Sequence, residues 1–231
     1  MRRLAWLLCA ALVTSGSAQE GAAHEGDTPD GGGSEALGPQ TSLRYEPPEP
    51  GTYELPPIQT LERHRVLGSE GGETELLEIG AGQVALVSLV YLSCPHQCPM
   101  THAVFQKIDR SLAGDAELEG RVELVTVSFD PARDTPERLA ALRRQLAPQS
   151  EWRFVTAPDA DALVPVLEDF GQDARAADSV AAGRIDHVLK VFLVDSERRV
   201  RNVYSAEFLD ARLLMNDART VLREAHTAAL P

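Results

Sequence analysis

The sequence predicts an α/β fold in which one sheet is covered by helices on both faces. Residues 84–91 (Val-Ala-Leu-Val-Ser-Leu-Val-Tyr) form a continuous apolar run, the pattern of a strand buried on both sides. Residues 122–129 (Val-Glu-Leu-Val-Thr-Val-Ser-Phe) read as a second buried strand. Helical periodicity follows each run, and strands that alternate with helices imply βαβ units.

Along the chain, residues 53–58 and 74–79 read as short extended runs, with Gly68-Ser-Glu-Gly-Gly72 as a turn between them, giving an extra N-terminal hairpin. After the first buried strand, Thr101, Val104, Phe105, Ile108 and Leu112 recur at helical spacing. Asp134-Thr-Pro-Glu137 carries a capping residue, an early proline and a first-turn glutamate, so it opens a helix reaching about residue 147. Residues 152–156 read as a strand. Residues 159–170 are helical in pattern, although Pro165 should kink or break them. Residues 187–194 and 200–204 form a hairpin around 195–199, and 208–225 close the chain as an amphipathic helix. Trp152 and Tyr91 read as core or rim residues.

Residues 1–18 have the pattern of a secretory signal: Arg2 and Arg3, an apolar stretch from Leu4 to Val13, and Gly16-Ser17-Ala18 before Gln19. The stretch is about half the roughly twenty residues a spanning helix needs. A secreted or periplasmic protein is therefore expected, with an N-terminal membrane anchor as the alternative. Residues 19–48 contain much glycine and proline and few large apolar side chains. Such a composition cannot offset its ordering entropy, so it reads as a disordered acidic tether. Residues 49–228 then suit one domain. The net charge of −13 excludes a nucleic-acid partner, because binding a phosphate backbone needs a basic face. A monomer is expected.

The chemistry concentrates in Tyr91-Leu-Ser-Cys94-Pro-His-Gln-Cys98-Pro-Met100. The other cysteine, Cys9, lies in the signal, so Cys94 and Cys98 are the thiols of the mature chain. Each precedes a proline, which disfavours helical geometry in both. Residues 94–97 therefore read as a tight turn, with Cys98 near the N-cap and Pro99 as the first helical residue. A helix N-terminus favours thiolate over thiol. The turn lets the pair close as a disulfide, or open as two soft sulfur donors of the kind that select Cu(I) or zinc. Histidine is the usual third ligand. His102, one helical turn past Cys98, is favoured by spacing, and His187 by topology if its strand lies beside residues 84–91. His96 lies between the cysteines. His24, His64 and His226 read as solvated surface residues. Asp130 and Asp134 can be read as groups supporting the site, but helix capping by Asp134 or Thr135, with Arg133 paired to a carboxylate, is the preferred reading.

Cys94-Pro-X-X-Cys98-Pro after an apolar strand, Phe129-Asp-Pro-Ala-Arg-Asp-Thr-Pro-Glu137, and Asp186-His187 opening a strand together resemble the Sco/SenC family of thioredoxin-fold copper proteins. The resemblance covers roughly residues 50–225. It implies a thioredoxin-like three-layer fold, with a central mixed sheet flanked by helices. It also implies that Cys94, Cys98 and His187 bind one copper ion per chain, as Cu(I) or Cu(II). The implied role is a metallochaperone rather than an enzyme, delivering copper to the binuclear site of cytochrome c oxidase subunit II or keeping that site's thiols reduced. Another periplasmic copper protein is an alternative acceptor, and a thiol reductant protein a further partner. The rival reading is a thiol–disulfide oxidoreductase that uses Cys94 and Cys98 and meets copper only incidentally.

Overall fold

The computed structural model describes residues 47–92, 97–172, 190–205 and 208–228 of the chain. The signal, the tether up to residue 46, and the segments carrying Cys94, His96 and His187 lie outside these residues.

In chain order the elements are β1 (Gln59–Thr60), β2 (Arg65–Gly68), β3 (Glu73–Glu75), β4 (Val84–Val90), α1 (Gln97–Leu112), β5 (Val122–Ser128) and α2 (Pro136–Leu146). There follow β6 (Trp152–Thr156), α3 (Ala160–Asp169), β7 (Lys190–Asp195), β8 (Arg199–Ser205) and α4 (Ala211–Ala228). The eight strands form one mixed sheet in the order β1-β8-β7-β4-β5-β6-β2-β3. β4, β5 and β6 are parallel, because α1 and α2 carry the chain back between them. The remaining pairings are antiparallel.

Every residue of β4 and β5 is buried, which is why apolar residues predominate in both. Successive side chains alternate between faces, so the sheet supports two cores. On one face Val87, Leu89, Val125, Val127 and Val155 pack with Leu163, Val166 and Phe170, the last just past the end of α3. On the other, Leu86, Leu124, Phe154 and Leu193 pack with Phe105 and Ile108 of α1, Leu139 of α2, and Leu214 and Val221 of α4. Trp152 and Tyr91 are both core residues. Each large apolar side chain taken out of water in this way contributes roughly 1.5–3 kcal/mol.

Four expectations are corrected. The N-terminal hairpin exists, with its turn at 68–72, but its first strand is β2 rather than residues 53–58. The strand just after those residues is β1, on the opposite border of the sheet against β8. β2 escaped notice because Arg65 and Gly68 flank just two apolar residues, so no alternation develops. Second, α1 begins at Gln97, two residues ahead of Pro99. The first turn of a helix has no internal acceptors for its N–H groups, so proline is tolerated there. Third, Pro165 lies inside α3 without ending it: Leu163, Val166 and Leu167 are buried against the sheet and hold the helix across the missing hydrogen bond. Asp159 caps that helix, accepting the Ala162 N–H at 2.8 Å. Fourth, Thr135 occupies the N-cap of α2 with no side-chain capping bond, and Asp134 does not cap it either.

Candidate functional site

β4 ends at Val90, and the segment carrying Cys94 continues from there. β7 begins at Lys190, three residues after His187. These two strand ends are neighbours: β7 runs antiparallel to β4 with Ser88 opposite Val191. Both segments are therefore attached to the same edge of the sheet, at the carboxyl ends of its parallel strands, where α/β sheets bind ligands. The condition set for His187, that its strand lie beside β4, is met by the strand. Cys94, His96 and His187 lie outside the described residues. Cys98 lies in the first turn of α1, at the helix end whose partial positive charge stabilises a thiolate. Among the described residues no three His, Cys, Asp or Glu side chains gather to hold a metal ion.

The edge itself is polar. Ser128, the last residue of β5, pairs with Val90 on one side and with Thr156 of β6 on the other. Ser88, Thr126, Ser128 and Thr156 are all fully or almost fully buried within largely apolar strands. Thr126 Oγ1 accepts the Trp152 Nε1–H at 3.0 Å and lies 3.3 Å from Ser88 Oγ. Thr156 Oγ1 has no hydrogen-bond partner among the described residues. Asp134, wholly buried, accepts the Ser128 hydroxyl at 2.7 Å and the Leu92 N–H at 2.8 Å on Oδ2. Burial pushes its carboxyl above the usual range, against the opposing pull of those two hydrogen bonds. Asp130 instead pairs with Arg133, whose Nε approaches to 2.6 Å, as expected for the arginine.

His102 is on the inward face of α1 with Thr101, Phe105 and Ile108. It is only 9% exposed, and its Nε2 has no hydrogen-bond partner among the described residues. Desolvation lowers its pKa to about 4, so the ring is neutral at pH 7. His64 is not a free surface residue: its Nε2 lies 2.8 Å from Asp169 Oδ2, and both side chains are largely shielded. His226 is exposed, as expected.

Sequence reasoning missed the grip of Asp134 on Leu92 and the buried hydroxyls beneath it. Thr126 and Ser128 did carry a signal, two polar residues on a strand face that otherwise carries Val122 and Leu124.

Among the described residues no helix is long and apolar enough to cross a membrane.

The SCO1/SenC family model matches residues 62–223. No curated protein matches the chain. Among solved structures, the chain is similar to BsSco, a member of the Sco family of cytochrome c oxidase assembly proteins in which a disulfide switch has been identified. That match has a TM-score of 0.57 at 19% identity, over 74% of this chain and 96% of BsSco. A SCO1/SenC family lipoprotein from Bacillus anthracis str. Ames matches with a TM-score of 0.55 at 21% identity, over 75% and 98% of the two chains. Arabidopsis thaliana ScoI with copper bound gives 0.51 at 16%, over 73% and 99%. At these identities the likeness shows the fold, which is thioredoxin-like. The family match spans well over half of the sequence, and on that ground the chain belongs to the SCO1/SenC family.

Proposed function

We propose that this chain is a copper metallochaperone that holds one copper ion through Cys94, Cys98 and His187. Copper is its cargo, and the acceptor is the binuclear copper site of cytochrome c oxidase subunit II or another periplasmic copper protein. The observation that carries the reading is the juxtaposition of the β4 exit and the β7 start on one sheet edge, in a chain of the SCO1/SenC family. Similar structures described as copper-bound, and one described as belonging to cytochrome c oxidase assembly proteins, support it.

Two thiolates and a neutral imidazole leave a three-donor site open on one side, from which a partner's thiols take over the ligands one at a time. Proton competition for the thiolates makes copper affinity fall as pH drops. Oxidation of the two thiols to a Cys94–Cys98 disulfide transfers two electrons and two protons to a partner disulfide, which is reduced to two thiols, and removes both sulfur donors. Where that partner is the acceptor's own disulfide, the same step is how the pair would keep an acceptor's thiols reduced. Delivery outside the cytoplasm belongs to this reading: residues 1–18 are removed as a signal and residues 19–48 tether the domain. Sequencing the N-terminus of the exported chain checks this, with Gln19 expected.

The decisive experiment is copper stoichiometry and absorption after Cu(II) is added to the reduced mature chain. One equivalent and a thiolate-to-copper charge-transfer band are expected in the parent and in His102→Gln. Both should be lost in Cys94→Ser, Cys98→Ser and His187→Ala. Parent-like binding by all three of the last group would sink the proposal.

The thioredoxin-like fold favours a second reading, a thiol–disulfide oxidoreductase. His187→Ala separates the two, since it should abolish copper binding yet leave disulfide exchange with a small-molecule disulfide nearly unchanged.

A further inference from the structure

Asp134 stands just ahead of the N-cap of α2, yet its side chain turns away from that helix. Its Oδ2 reaches 42 residues back along the sequence to the Leu92 N–H, at 2.8 Å. The ladder between β4 and β5 ends at Val90 and Ser128, followed by one more bond from the Phe129 N–H to the Val90 carbonyl at 3.0 Å. Leu92 thus lies beyond the sheet, where no strand partner is left for its amide, and it is two residues before Cys94. The carboxylate is itself held from two sides. The Ser128 hydroxyl donates to the same oxygen at 2.7 Å and accepts the Asp130 N–H at 3.1 Å, while the Asp134 N–H donates to the Asp130 carbonyl at 2.8 Å. The second oxygen, Oδ1, has no hydrogen-bond partner among the described residues, and Arg138 Nη1 stands 3.8 Å away. A carboxylate is costly to bury, and closing the turn alone does not call for one.

We infer that Asp134 is a positioning residue for the thiol pair: by gripping the Leu92 amide it sets the direction in which the chain leaves β4, and with it the approach of Cys94 to Cys98 on α1. The inference rests on the reading of Cys94 and Cys98 as a redox couple. Ring closure between two thiols depends on how well they are prearranged, so loosening one of them moves the dithiol–disulfide equilibrium.

The test equilibrates the full chain with glutathione, where dithiol plus oxidised glutathione gives the intramolecular disulfide plus two reduced glutathiones, and counts free thiols. Asp134→Ala should shift the equilibrium constant about tenfold or more, while Asp134→Asn, whose amide oxygen still accepts from Leu92, should stay within about twofold of the parent. Amide exchange at Leu92, which involves no thiol chemistry, should accelerate in the alanine variant and not in the asparagine variant. A folded Asp134→Ala chain with the parent's equilibrium and the parent's Leu92 exchange overturns the inference, as does an asparagine variant that shifts as far as alanine. If the alanine variant does not fold, Asp134→Ser is judged by the same criteria, and failure of both to fold overturns the inference in favour of a purely structural role. A parent that forms no disulfide at any glutathione ratio overturns the redox reading beneath it, an outcome distinct from a variant that matches a redox-active parent.

Discussion

Tyr53 and Asp217, 164 residues apart, are joined by a 2.6 Å hydrogen bond from the phenol to Oδ1. The opposite oxygen accepts the Tyr204 hydroxyl at 2.7 Å and Asn202 Nδ2 at 2.9 Å, so one carboxylate on α4 gathers the N-terminal segment and β8. Neighbouring bonds add to the seam: the Gly51 N–H donates to Thr220 Oγ1, the Leu55 N–H to Glu224, and Asn216 Nδ2 to the Pro48 carbonyl. The segment ahead of the sheet is thereby strapped along α4.

Replacing Tyr53 with phenylalanine removes the donor and leaves part of a buried carboxylate unpaired. A loss of about 1–3 kcal/mol is expected in urea unfolding at neutral pH. Burial, reinforced by Asp217, raises the Tyr53 pKa to about 12. The folded chain therefore holds this proton more tightly than the unfolded chain, whose phenol titrates near 10. The contribution is complete below about pH 10 and disappears as pH rises through about 12. A parent whose stability falls no more steeply than that of Tyr53→Phe in this window would refute the assignment.

His102 predicts the opposite limb of the pH profile. Its ring stays neutral in the folded chain down to about pH 4, whereas the unfolded chain takes up the proton near 6.5. The unfolded state thus binds more protons, and stability present above about pH 6.5 is lost as pH falls toward 4, a difference on the order of 3 kcal/mol. His102→Leu, of similar volume, should unfold with a visibly flatter dependence over that range. Parallel curves for parent and variant would contradict the burial of the ring.

Phe105 is completely buried on α1, with its ring centroid 5.8 Å from that of Trp152. Truncation to alanine opens a cavity beneath the helix whose first turn carries Cys98. It should cost about 3–5 kcal/mol and lower the denaturant midpoint without changing its slope.

Ala147 takes a left-handed backbone, φ 48° and ψ 62°, where α2 ends before Pro148. The conformation burdens a side chain with a β-carbon, and glycine relieves it. Ala147→Gly should raise the thermal midpoint, a gain of about 0.5–1 kcal/mol, by differential scanning calorimetry. A lower midpoint would show that the strain is absorbed elsewhere.

The parallel strands were legible because burial on both faces favours apolar side chains along most of β4 and β5. β2 was not, since it lies near the border of the sheet, begins with an exposed arginine, and pairs through backbone groups that leave no imprint on residue type. In the candidate site, the thiol pair stood out because thiols are scarce, and His187 stood out through the family resemblance together with the topology of its strand. Asp134 was hidden by its own neighbourhood: Asp-Thr-Pro-Glu spells a helix start, and nothing local reveals that the aspartate serves a backbone amide just past the end of another strand. Pro165 misled for a related reason, since propensity registers the lost hydrogen bond and not the three buried side chains that hold α3 in place.

The sheet stops at a two-residue strand on one side and a three-residue strand on the other, the latter bearing Glu73 and Glu75 against Arg65. An unfolded segment of a neighbouring molecule would meet only a few free amides there, amid charges, before its template ran out. Stubby, charged margins of this kind guard an eight-stranded sheet against fibre growth in a crowded compartment, where a long bare margin would invite it.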